Sequence, residues 1–299
     1  MPAALFAQID ERTPDRQYHD LLQRIMDDGR VVKTQMDEEA KMVFGHQMRF
    51  PLKNGFPIVT ERDISGKFLD QALGELFCFL NGGHTQADLE KFGCRWWKPW
   101  VSKEKTTKRG LEEGDLGPGS YGAAWRSFPT SEGKPFDQIT HMVEQIKEKP
   151  HLRTHLTIPW VPQYIGRGKG KVQKVTVVPC HGFLHVIVAD GEMSLHHYQR
   201  SADVPVGLVF NMVQYAALLM MLAQVTGNTP KELVYTISDA HVYDRQYDDV
   251  ATLLSREPRI FPAVEMNPDV KDIFAFRQEH FRIGDEYDPH PPMVIGTPV

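Results

Sequence analysis

Residues 211–226 form an apolar stretch that is hydrophobic on nearly every helical face. A helix of this kind is stable in water only when other elements cover it on all sides. The run Gly227-Asn228-Thr229-Pro230 follows and predicts where this helix ends. With 299 residues, 41% of them hydrophobic, the chain is long enough to build a large core around it.

Other patterns predict the remaining elements. The spacing of apolar residues predicts helices over 17–29, 68–80 and 137–148. Alternating or β-branched runs predict strands near 43–50, 175–178, 182–188 and 191–199, the last two joined by a turn at Asp190-Gly191. Polar stretches predict surface insertions near 102–115 and 164–174. Because no linker-like composition divides the chain, we predict one α+β domain over residues 1–299.

Charge, cysteine content and hydropathy exclude several classes of protein. The chain has 34 Lys and Arg against 39 Asp and Glu, a net charge of -5, which argues against nucleic acid as a main partner. Three cysteines without a CxxC pair favour a reducing compartment over a disulfide framework. The first residues lack a basic leader and no apolar run reaches 18 residues, so we expect a cytoplasmic protein without a membrane span.

Cys180 is the first candidate for chemistry. It lies between Pro179 and His181, where two strand-like runs meet, so we expect a turn to present it. A thiolate is a strong nucleophile, and neighbouring cations favour its formation. The alternative reading is a buried structural cysteine, which is the expected role of Cys78 within its apolar run.

Polar residues then cluster before the apolar helix. Arg200 and Ser201 offer a forked cation and a hydroxyl, which together suit a phosphate dianion. Asp203 can accept hydrogen bonds from the paired N–H groups of a heterocycle, and Asn211 can both donate to and accept from an amide edge such as that of uracil. On a surface, the same Arg and Asp would form only a solvated ion pair.

A third cluster alternates along a strand-like run. Asp239, His241 and Tyr243 share one face there and can hydrogen bond a sugar hydroxyl, although a lone histidine often has a structural role. The neighbours His196 and His197 would point to opposite faces of a strand, which argues against a shared metal. Because no metal-binding spacing such as HExxH occurs, we predict no metal cofactor.

These segments resemble the signature segments of the thymidylate synthase family. The resemblance runs in order from about residue 17 to the C-terminus. The segments closest to the candidate residues are Pro179-Cys180-His181, Tyr198-Gln199-Arg200-Ser201-x-Asp203, Gly207-x-x-Phe210-Asn211 and Asp239-Ala240-His241-Val242-Tyr243. The others include Phe44-Gly45-His46-Gln47-Met48-Arg49-Phe50, Glu75-Leu76-x-x-Phe79-Leu80, Leu116-Gly117-Pro118, Trp125-Arg126 and Pro289-His290-Pro291.

The resemblance implies both an activity and an architecture. Members of that family transfer a one-carbon unit from 5,10-methylenetetrahydrofolate to C5 of a pyrimidine nucleoside monophosphate. The implied fold is a large mixed β-sheet flanked by helices, with two such sheets stacked back to back in a homodimer. Arg153 would then contribute to nucleotide binding in the site of the other subunit.

The resemblance also assigns catalytic roles to individual residues. Cys180 would be the nucleophile that attacks C6 of the base, with Arg200 beside it. Glu75 would be the general acid or base that works through ordered water. Tyr121 and Asp203 occupy positions that hold the cofactor or relay the C5 proton.

The remaining roles concern binding. Asn211 would read the base, His241 and Tyr243 would bind the sugar 3′-hydroxyl, and Arg200, Ser201 and Lys33 would bind the phosphate. The predicted folate-binding residues are Trp97, Trp100, Asp203, Gly207 and Phe210. For the two tryptophans, aromatic core packing is the alternative reading.

The sequence departs from the family pattern at four places, of which three concern the ligands and the fourth, Val209, concerns packing. The phosphate loop Arg-Thr-Gly-Thr is replaced by Lys33-Thr34-Gln35-Met36, and Thr154 stands where the second of two adjacent arginines is expected. Such exchanges are not conservative at a bidentate phosphate site. Lys67 is only a candidate for the folate tail, and Val209 replaces the usual proline.

Three functions remain open from the sequence. The first is reductive methylation of dUMP to dTMP, in which the C-terminal tail would close the site against water. Removal of Val299 should then hurt methylation more than tritium release from C5. The second is 5-hydroxymethylation of dUMP or a related nucleotide, in which water completes the reaction. Asn211 favours uracil over cytosine in both, since a cytosine-specific site would favour Asp. The third is a catalytically idle binding protein, against which the retained Cys180 and Glu75 argue.

Overall fold

A six-stranded mixed sheet forms the centre of the structure, a computed structural model that describes residues 5–298. The strand order is β1-β2-β6-β5-β4-β3, in which β5 and β6 pair in parallel and the other neighbours are antiparallel. The six strands are β1 (Arg30–Lys33), β2 (Glu39–Pro51), β3 (His155–Thr157), β4 (Phe183–Ala189), β5 (Glu192–Asp203) and β6 (Thr229–Tyr243). A separate hairpin-like pair is formed by β7 (Val264–Met266) and β8 (Phe281–Ile283).

Helices flank this sheet, which confirms the predicted α+β class with a large mixed sheet. They are α1 (Gln17–Asp28), α2 (Lys67–Leu80), α3 (Gln86–Lys91), α4 (Lys103–Thr107), α5 (Tyr121–Arg126), α6 (Gln138–Glu148), α7 (Pro162–Ile165), α8 (Val209–Thr226) and α9 (Tyr247–Leu254). Short 3-10 turns occur at Ile9–Glu11, Leu52–Asn54, Lys98–Trp100, Asp244–Gln246 and Gln278–His280. The helices predicted over 17–29, 68–80 and 137–148 are α1, α2 and α6.

The apolar stretch forms α8, which is the central core helix. It runs from Val209 to Thr226 and ends at Gly227, whose left-handed backbone (φ 73°) closes the last turn. The helical stretch Val204–Thr226 is long and apolar enough in composition to cross a bilayer. However, 83% of its most apolar window is buried inside the protein. Its apolar surface is therefore covered by the protein's own sheet and helices.

The strands predicted near 43–50, 182–188 and 191–199 are confirmed as β2, β4 and β5, and the strand predicted over 175–178 is wrong. Strands β4 and β5 meet at Asp190 and Gly191, which both have positive φ angles (52° and 77°), as a tight hairpin turn requires. Residues 175–178 form no strand. The Thr176 amide donates instead to the carbonyl of Leu116, because β4 already pairs with β3 and β5.

The two predicted insertions differ in structure. The stretch near 102–115 is not purely an exposed loop, since it contains α4 and the fully buried Thr106. The stretch near 164–174 is mostly exposed and turns back at a bridge between Gly168 and Lys171.

A π-helical turn connects the sheet to the core helix. Strand β5 ends at Asp203, Val204–Leu208 forms this turn, and α8 begins at Val209. Such wide turns occur frequently at functional sites. Here it places the end of β5 and the first turn of α8 beside each other, with β6 in parallel next to β5.

Candidate active site

Cys180 lies in irregular backbone just before β4, as predicted, and is half-buried. Its Sγ atom lies 3.2 Å from Nη2 of Arg200. The guanidinium is held in place because its Nε donates to the carbonyl of Pro179 (2.8 Å) and its Nη2 to that of Val178 (2.9 Å). Within residues 5–298, Nη1 of Arg200 makes no hydrogen bond, so its two N–H groups are free for a ligand. The thiol and the cation that can stabilise its thiolate are therefore brought together.

Burial and Arg200 act on the thiol in opposite directions. Burial raises the pKa of Cys180 above its ordinary value, and the positive charge of Arg200 lowers it by a smaller amount. The backbone amide of Cys180 donates to the hydroxyl of Tyr121 (2.8 Å). Tyr121 in turn stacks between Phe79 and His181, with ring centroids 4.9 and 4.3 Å away. Loop and nucleophile are thus supported by a buried aromatic stack.

His181 is buried behind Cys180 and is neutral. Its Nδ1 lies 2.5 Å from the hydroxyl of Tyr215 on α8. Burial, together with the charge of Arg200, lowers the pKa of His181 to about 3. His181 therefore provides packing and a hydrogen bond to the site rather than a second positive charge.

Glu75 lies on α2 with its carboxylate enclosed by hydrogen-bond donors. Its Oε2 accepts from the indole N–H groups of Trp96 and Trp97, both at 2.5 Å, and its Oε1 accepts from Nε2 of Gln214 at 3.0 Å. Burial raises the pKa of Glu75, and these three donors oppose the rise because they stabilise the ionised form. A carboxyl group with a raised pKa suits general acid and base work near neutral pH.

A chain of side-chain amides joins Glu75 to Asn211. Nδ2 of Asn211 donates to Oε1 of Gln214 (2.9 Å), and its Oδ1 accepts from Nε2 of Gln199 (3.1 Å). Gln199 also accepts from the hydroxyl of Tyr235. All five residues are buried. Asn211 is thereby held with one N–H and one carbonyl lone pair left over.

The predicted sugar-binding residues are organised by Asp239. Its Oδ2 accepts from the hydroxyl of Ser201 (2.7 Å), and its Oδ1 lies 3.1 Å from Nδ1 of His241. The rings of His241 and Tyr243 are 4.9 Å apart on the same strand face. Hydrogen bonds and the charge of His241 keep the pKa of Asp239 below its ordinary value, so the carboxylate is ionised at neutral pH.

The C-terminal tail is docked on Asp203. Gln246 donates from Nε2 to both carboxylate oxygens of Asp203 (3.2 and 3.1 Å) and to the carbonyl of Gly296 (2.8 Å). The hydroxyl of Thr297 donates to Asp203 at 3.3 Å. Burial raises the pKa of Asp203, and these partners oppose that rise. Val299, whose removal was considered above, lies outside the described residues.

The structure gives Trp100 different surroundings from the other predicted folate-binding residues. A Cβ built on Gly207 would have nothing within 4 Å, so the backbone there faces open space. Phe210 packs against Trp96, with ring centroids 5.1 Å apart, and the next residue, Trp97, donates a hydrogen bond to Glu75. Open space, an aromatic wall and the Asp203 carboxylate suit a flat pteridine ring. Trp100 instead lies under the ammonium of Lys105, 4.8 Å from its ring centroid.

Two of the predicted phosphate ligands are remote from the cysteine within this chain. Lys33 is exposed at the end of β1, one edge of the sheet. Arg153 is exposed just before β3, at the opposite edge, where its carbonyl accepts from His185 (3.1 Å). His196 and His197 do face opposite ways, one exposed and one buried. Among residues 5–298, no three His, Cys, Asp or Glu side chains are grouped so as to hold a metal ion.

Residues 16–297 match the family model described as thymidylate synthase. The chain therefore belongs to the thymidylate synthase family, which acts on a pyrimidine nucleotide and uses methylenetetrahydrofolate as co-substrate.

Sequence reasoning missed several residues of the site. Trp96, Gln199, Gln214 and Gln246 each contact a predicted residue, yet none was assigned a role. Trp96 could have been found from its position beside Trp97. The three glutamines have no such signal, because buried and exposed glutamines look alike in a sequence.

Proposed function

We propose that this protein methylates dUMP at C5 to give dTMP, with 5,10-methylenetetrahydrofolate as the donor and dihydrofolate as the second product. The observation that carries the proposal is the thiol of Cys180 held 3.2 Å from the guanidinium of Arg200, and it is supported by the link from Asn211 through Gln214 to Glu75. When bound, the folate supplies the carbon and the hydride.

Cys180 has the position of the covalent nucleophile. Its sulfur would add to C6 of the base, which converts C5 into an enolate-like carbon able to attack an electrophile. C5 would then bond the donated carbon, and loss of the C5 proton would break the bond between that carbon and the folate nitrogen, leaving an exocyclic methylene on the base. Addition of hydride from tetrahydrofolate to this methylene would give the methyl group and dihydrofolate, and would expel the thiolate from C6 to regenerate the enzyme. Because burial raises the pKa of the free thiol, we expect Arg200 to carry much of the thiolate stabilisation.

Asn211 and Glu75 would act on the opposite edge of the base. The free N–H of Asn211 can donate to O4, and its free lone pair can accept from N3–H. Negative charge develops on O4 when sulfur adds to C6, so a fixed donor there stabilises the transition state. Glu75, held by three donors, can exchange protons with water beside the base.

The remaining contacts account for a nucleoside monophosphate. The free Nη1 of Arg200 suits a phosphate, and the hydroxyl of Ser201 would turn from Asp239 to donate to it; His241 and Tyr243 suit the sugar 3′-hydroxyl. Asp203, Gly207 and Phe210 would outline the space for the folate ring, with Trp97 as a further proposed contact.

Tail docking supports methylation over hydroxymethylation. Gly296 accepts from Gln246 and Thr297 donates to Asp203, so the tail contacts one of the residues proposed to bind folate. A covered site excludes water, and hydride transfer needs that exclusion because water would otherwise capture the exocyclic carbon.

One specific observation favours 5-hydroxymethylation as a second candidate. The phosphate-binding elements depart from the family pattern at Lys33 and Thr154, both of which are exposed. Such a change can accompany a different nucleotide or a different fate of the transferred carbon. In that reaction water would complete the product and tetrahydrofolate would be released.

We also propose that two copies stack through the outer face of the sheet. Five of the ten large apolar side chains exposed among residues 5–298 lie on its strands, namely Val31, Phe44, Leu156, Ile187 and Tyr198. Leu156 is 54% exposed and, through its register with His185, belongs to the face opposite α8. A homodimer would cover this face, and Arg153 at the sheet edge would lie near the partner's site.

The deciding experiment is mass spectrometry of the nucleotide products formed from dUMP, dCMP, UMP and CMP in separate incubations with methylenetetrahydrofolate. We expect a methyl product from dUMP, with dihydrofolate formed in equal amount. A hydroxymethyl product with tetrahydrofolate would establish the second candidate instead. No product and no nucleotide binding with any of the four would refute both.

A further inference from the structure

The carboxamide of Gln214 is fully occupied by hydrogen bonds. Gln214 lies three residues after Asn211 on α8 and is only 2% exposed. Its Oε1 accepts from Nδ2 of Asn211 (2.9 Å), and its Nε2 donates to the carbonyl of Ala72 (2.9 Å) and to Oε1 of Glu75 (3.0 Å). One side chain thus contacts both the base-reading amide and the acid-base carboxylate.

Two backbone carbonyls determine the direction of the whole amide chain. The Ala72 carbonyl can only accept, so the NH2 group of Gln214 must face it and its oxygen must face Asn211. At the other end, Nε2 of Gln199 donates to the carbonyl of Ser201 (3.0 Å). The NH2 group of Gln199 is therefore also directed at Oδ1 of Asn211.

Reversal of the Asn211 amide would break both contacts. Its NH2 group would then meet the NH2 group of Gln199, and its oxygen would meet the oxygen of Gln214. Donor would face donor at one contact and acceptor would face acceptor at the other, in a buried site where unpaired polar groups are strongly unfavourable. The amide is therefore held in a single orientation.

We propose that Gln214 is a positioning residue that locks the Asn211 carboxamide in the orientation that accepts a uracil edge and rejects a cytosine edge. Uracil presents a donor at N3 and an acceptor at position 4, whereas cytosine presents an acceptor at N3 and a donor at position 4. With the ring held by sulfur at C6, cytosine needs the reversed amide. This inference rests on the proposed function, because it concerns the base that the site selects.

Gln214 also couples base selection to the state of Glu75. The hydrogen bond from its Nε2 stabilises the ionised carboxylate, so its loss should raise the pKa of Glu75 further. The other ionisable groups around Glu75 are the thiols of Cys78 and Cys94 and the phenols of Tyr121 and Tyr215. Burial raises the pKa of all four, so they are neutral near pH 7 and do not mask this effect.

The test compares tritium release from [5-³H]dUMP and [5-³H]dCMP, because methylation and hydroxymethylation both remove the C5 proton. Gln214→Met keeps the length of the side chain and removes both hydrogen-bonding groups. We expect the ratio of kcat/KM for dUMP over dCMP to fall by about tenfold or more, as expected for the loss of a buried hydrogen bond. We also expect the acidic limb of its pH-rate profile to move to higher pH.

Gln214→Glu separates the effect of Gln214 on the orientation of Asn211 from its effect on the pKa of Glu75. A carboxylate still accepts from Asn211 but cannot donate to Glu75, so the dUMP preference should stay within about threefold of wild type. The acidic limb should move to higher pH, because a second carboxylate beside Glu75 disfavours its ionisation. If Gln214→Met does not fold, this variant still tests the inference, since an unmoved limb would contradict the coupling.

Gln138→Met is the matched control. Gln138 is also buried and donates to two backbone carbonyls, those of Ala124 and Ile158 (both 2.8 Å), away from Asn211. Its substitution should lower thermal stability without changing base preference. If Gln214→Met keeps the wild-type preference for dUMP over dCMP, the inference is overturned and the proposed function is unaffected. If the wild-type protein neither releases tritium from these nucleotides nor binds them, the inference and the proposed function are both refuted.

Discussion

Cys180 and Arg200 illustrate how position decides the reactivity of a thiol. The chain also contains Cys78 and Cys94, which are fully buried, and burial raises the pKa of Cys78 to about 12. Cys180 alone among the three lies against a guanidinium. The residue type is the same in all three cases, so the neighbouring charge and the partial exposure distinguish the candidate nucleophile.

Cys180→Ser is expected to abolish turnover and to leave nucleotide binding measurable. A serine hydroxyl near Arg200 keeps the size of the side chain but does not ionise near neutral pH. Tritium release from [5-³H]dUMP and calorimetric binding of dUMP measure the two effects separately. Cys78→Ala, at a core thiol, should retain activity, and substantial turnover by Cys180→Ser would disprove the nucleophile assignment.

Glu75→Gln is expected to reduce turnover by about 10²–10⁴-fold, the usual contribution of a general acid or base. Its effect on stability should depend on pH. Because burial raises the pKa of Glu75 above its ordinary 4.5, the wild-type carboxyl contributes most stability at low pH and loses it as pH rises through the folded pKa.

The free energy of unfolding of wild type minus that of Glu75→Gln should therefore decrease from pH 4.5 upward. Urea unfolding at several pH values measures this difference. Hydrogen bonds altered in the variant add the same amount to this difference at every pH, so they do not change how the difference depends on pH. A difference that stays constant or increases with pH would contradict a raised pKa.

At the scale of elements, the tail and the turn before α8 form one unit. Asp203 ends β5, and the same carboxylate receives Gln246 and Thr297 from the C-terminal half of the chain. Arg62 donates to the carbonyls of Pro205 in the π-helical turn (2.7 Å) and Met293 in the tail (3.1 Å). Arg62 and Asp203 therefore connect the tail to the turn before α8, the region proposed to bind folate.

Truncation after Ile295 should separate proton removal from product formation. It removes Gly296 and Thr297, which dock on Gln246 and Asp203. We expect methyl-product formation to fall at least about tenfold more than tritium release, because water can then reach the exocyclic carbon. Thr297→Val, which removes one hydrogen bond, should have a smaller effect. Equal losses in both assays would mean that the tail does not exclude water.

At the scale of the whole molecule, the sheet has two unlike faces. One is covered by α8 and buries side chains such as Tyr235 and His197 completely. The other exposes apolar and aromatic side chains, including Ile187 at 37% and Tyr198 at 36%. Large exposed apolar patches on a sheet are typical of association surfaces.

A double variant, Leu156→Glu with Ile187→Glu, should shift the protein from dimer to monomer. Charges on this face would have to be desolvated on association, which is strongly unfavourable. Sedimentation velocity across a concentration series measures the shift. Val172→Glu, on the exposed insertion, is the matched control and should leave the oligomeric state unchanged. A dimeric double variant would place the interface elsewhere.

The local pattern of the chain was enough to predict α1, α2, α6, α8 and the β4–β5 hairpin. Their signals are short-range: apolar periodicity, a closing glycine and a tight turn act within a few residues. Cys180, Arg200 and Asn211 could be singled out from their types and spacing in the sequence, whereas Glu75 was assigned through the resemblance to the family.

Long-range contacts decided what the sequence could not specify. Residues 175–178 have strand-like composition, but the adjacent β4 is already paired on both sides, and the amide of Thr176 donates to the carbonyl of Leu116 instead. Trp97 and Trp100 look equivalent in the sequence, yet of these two only Trp97 donates a hydrogen bond to Glu75. Gln214 has a role only because α8 packs on α2, which brings Ala72 and Glu75 to its amide. Hydrogen-bond partners far apart in the chain meet only through packing, so local sequence patterns cannot reveal them.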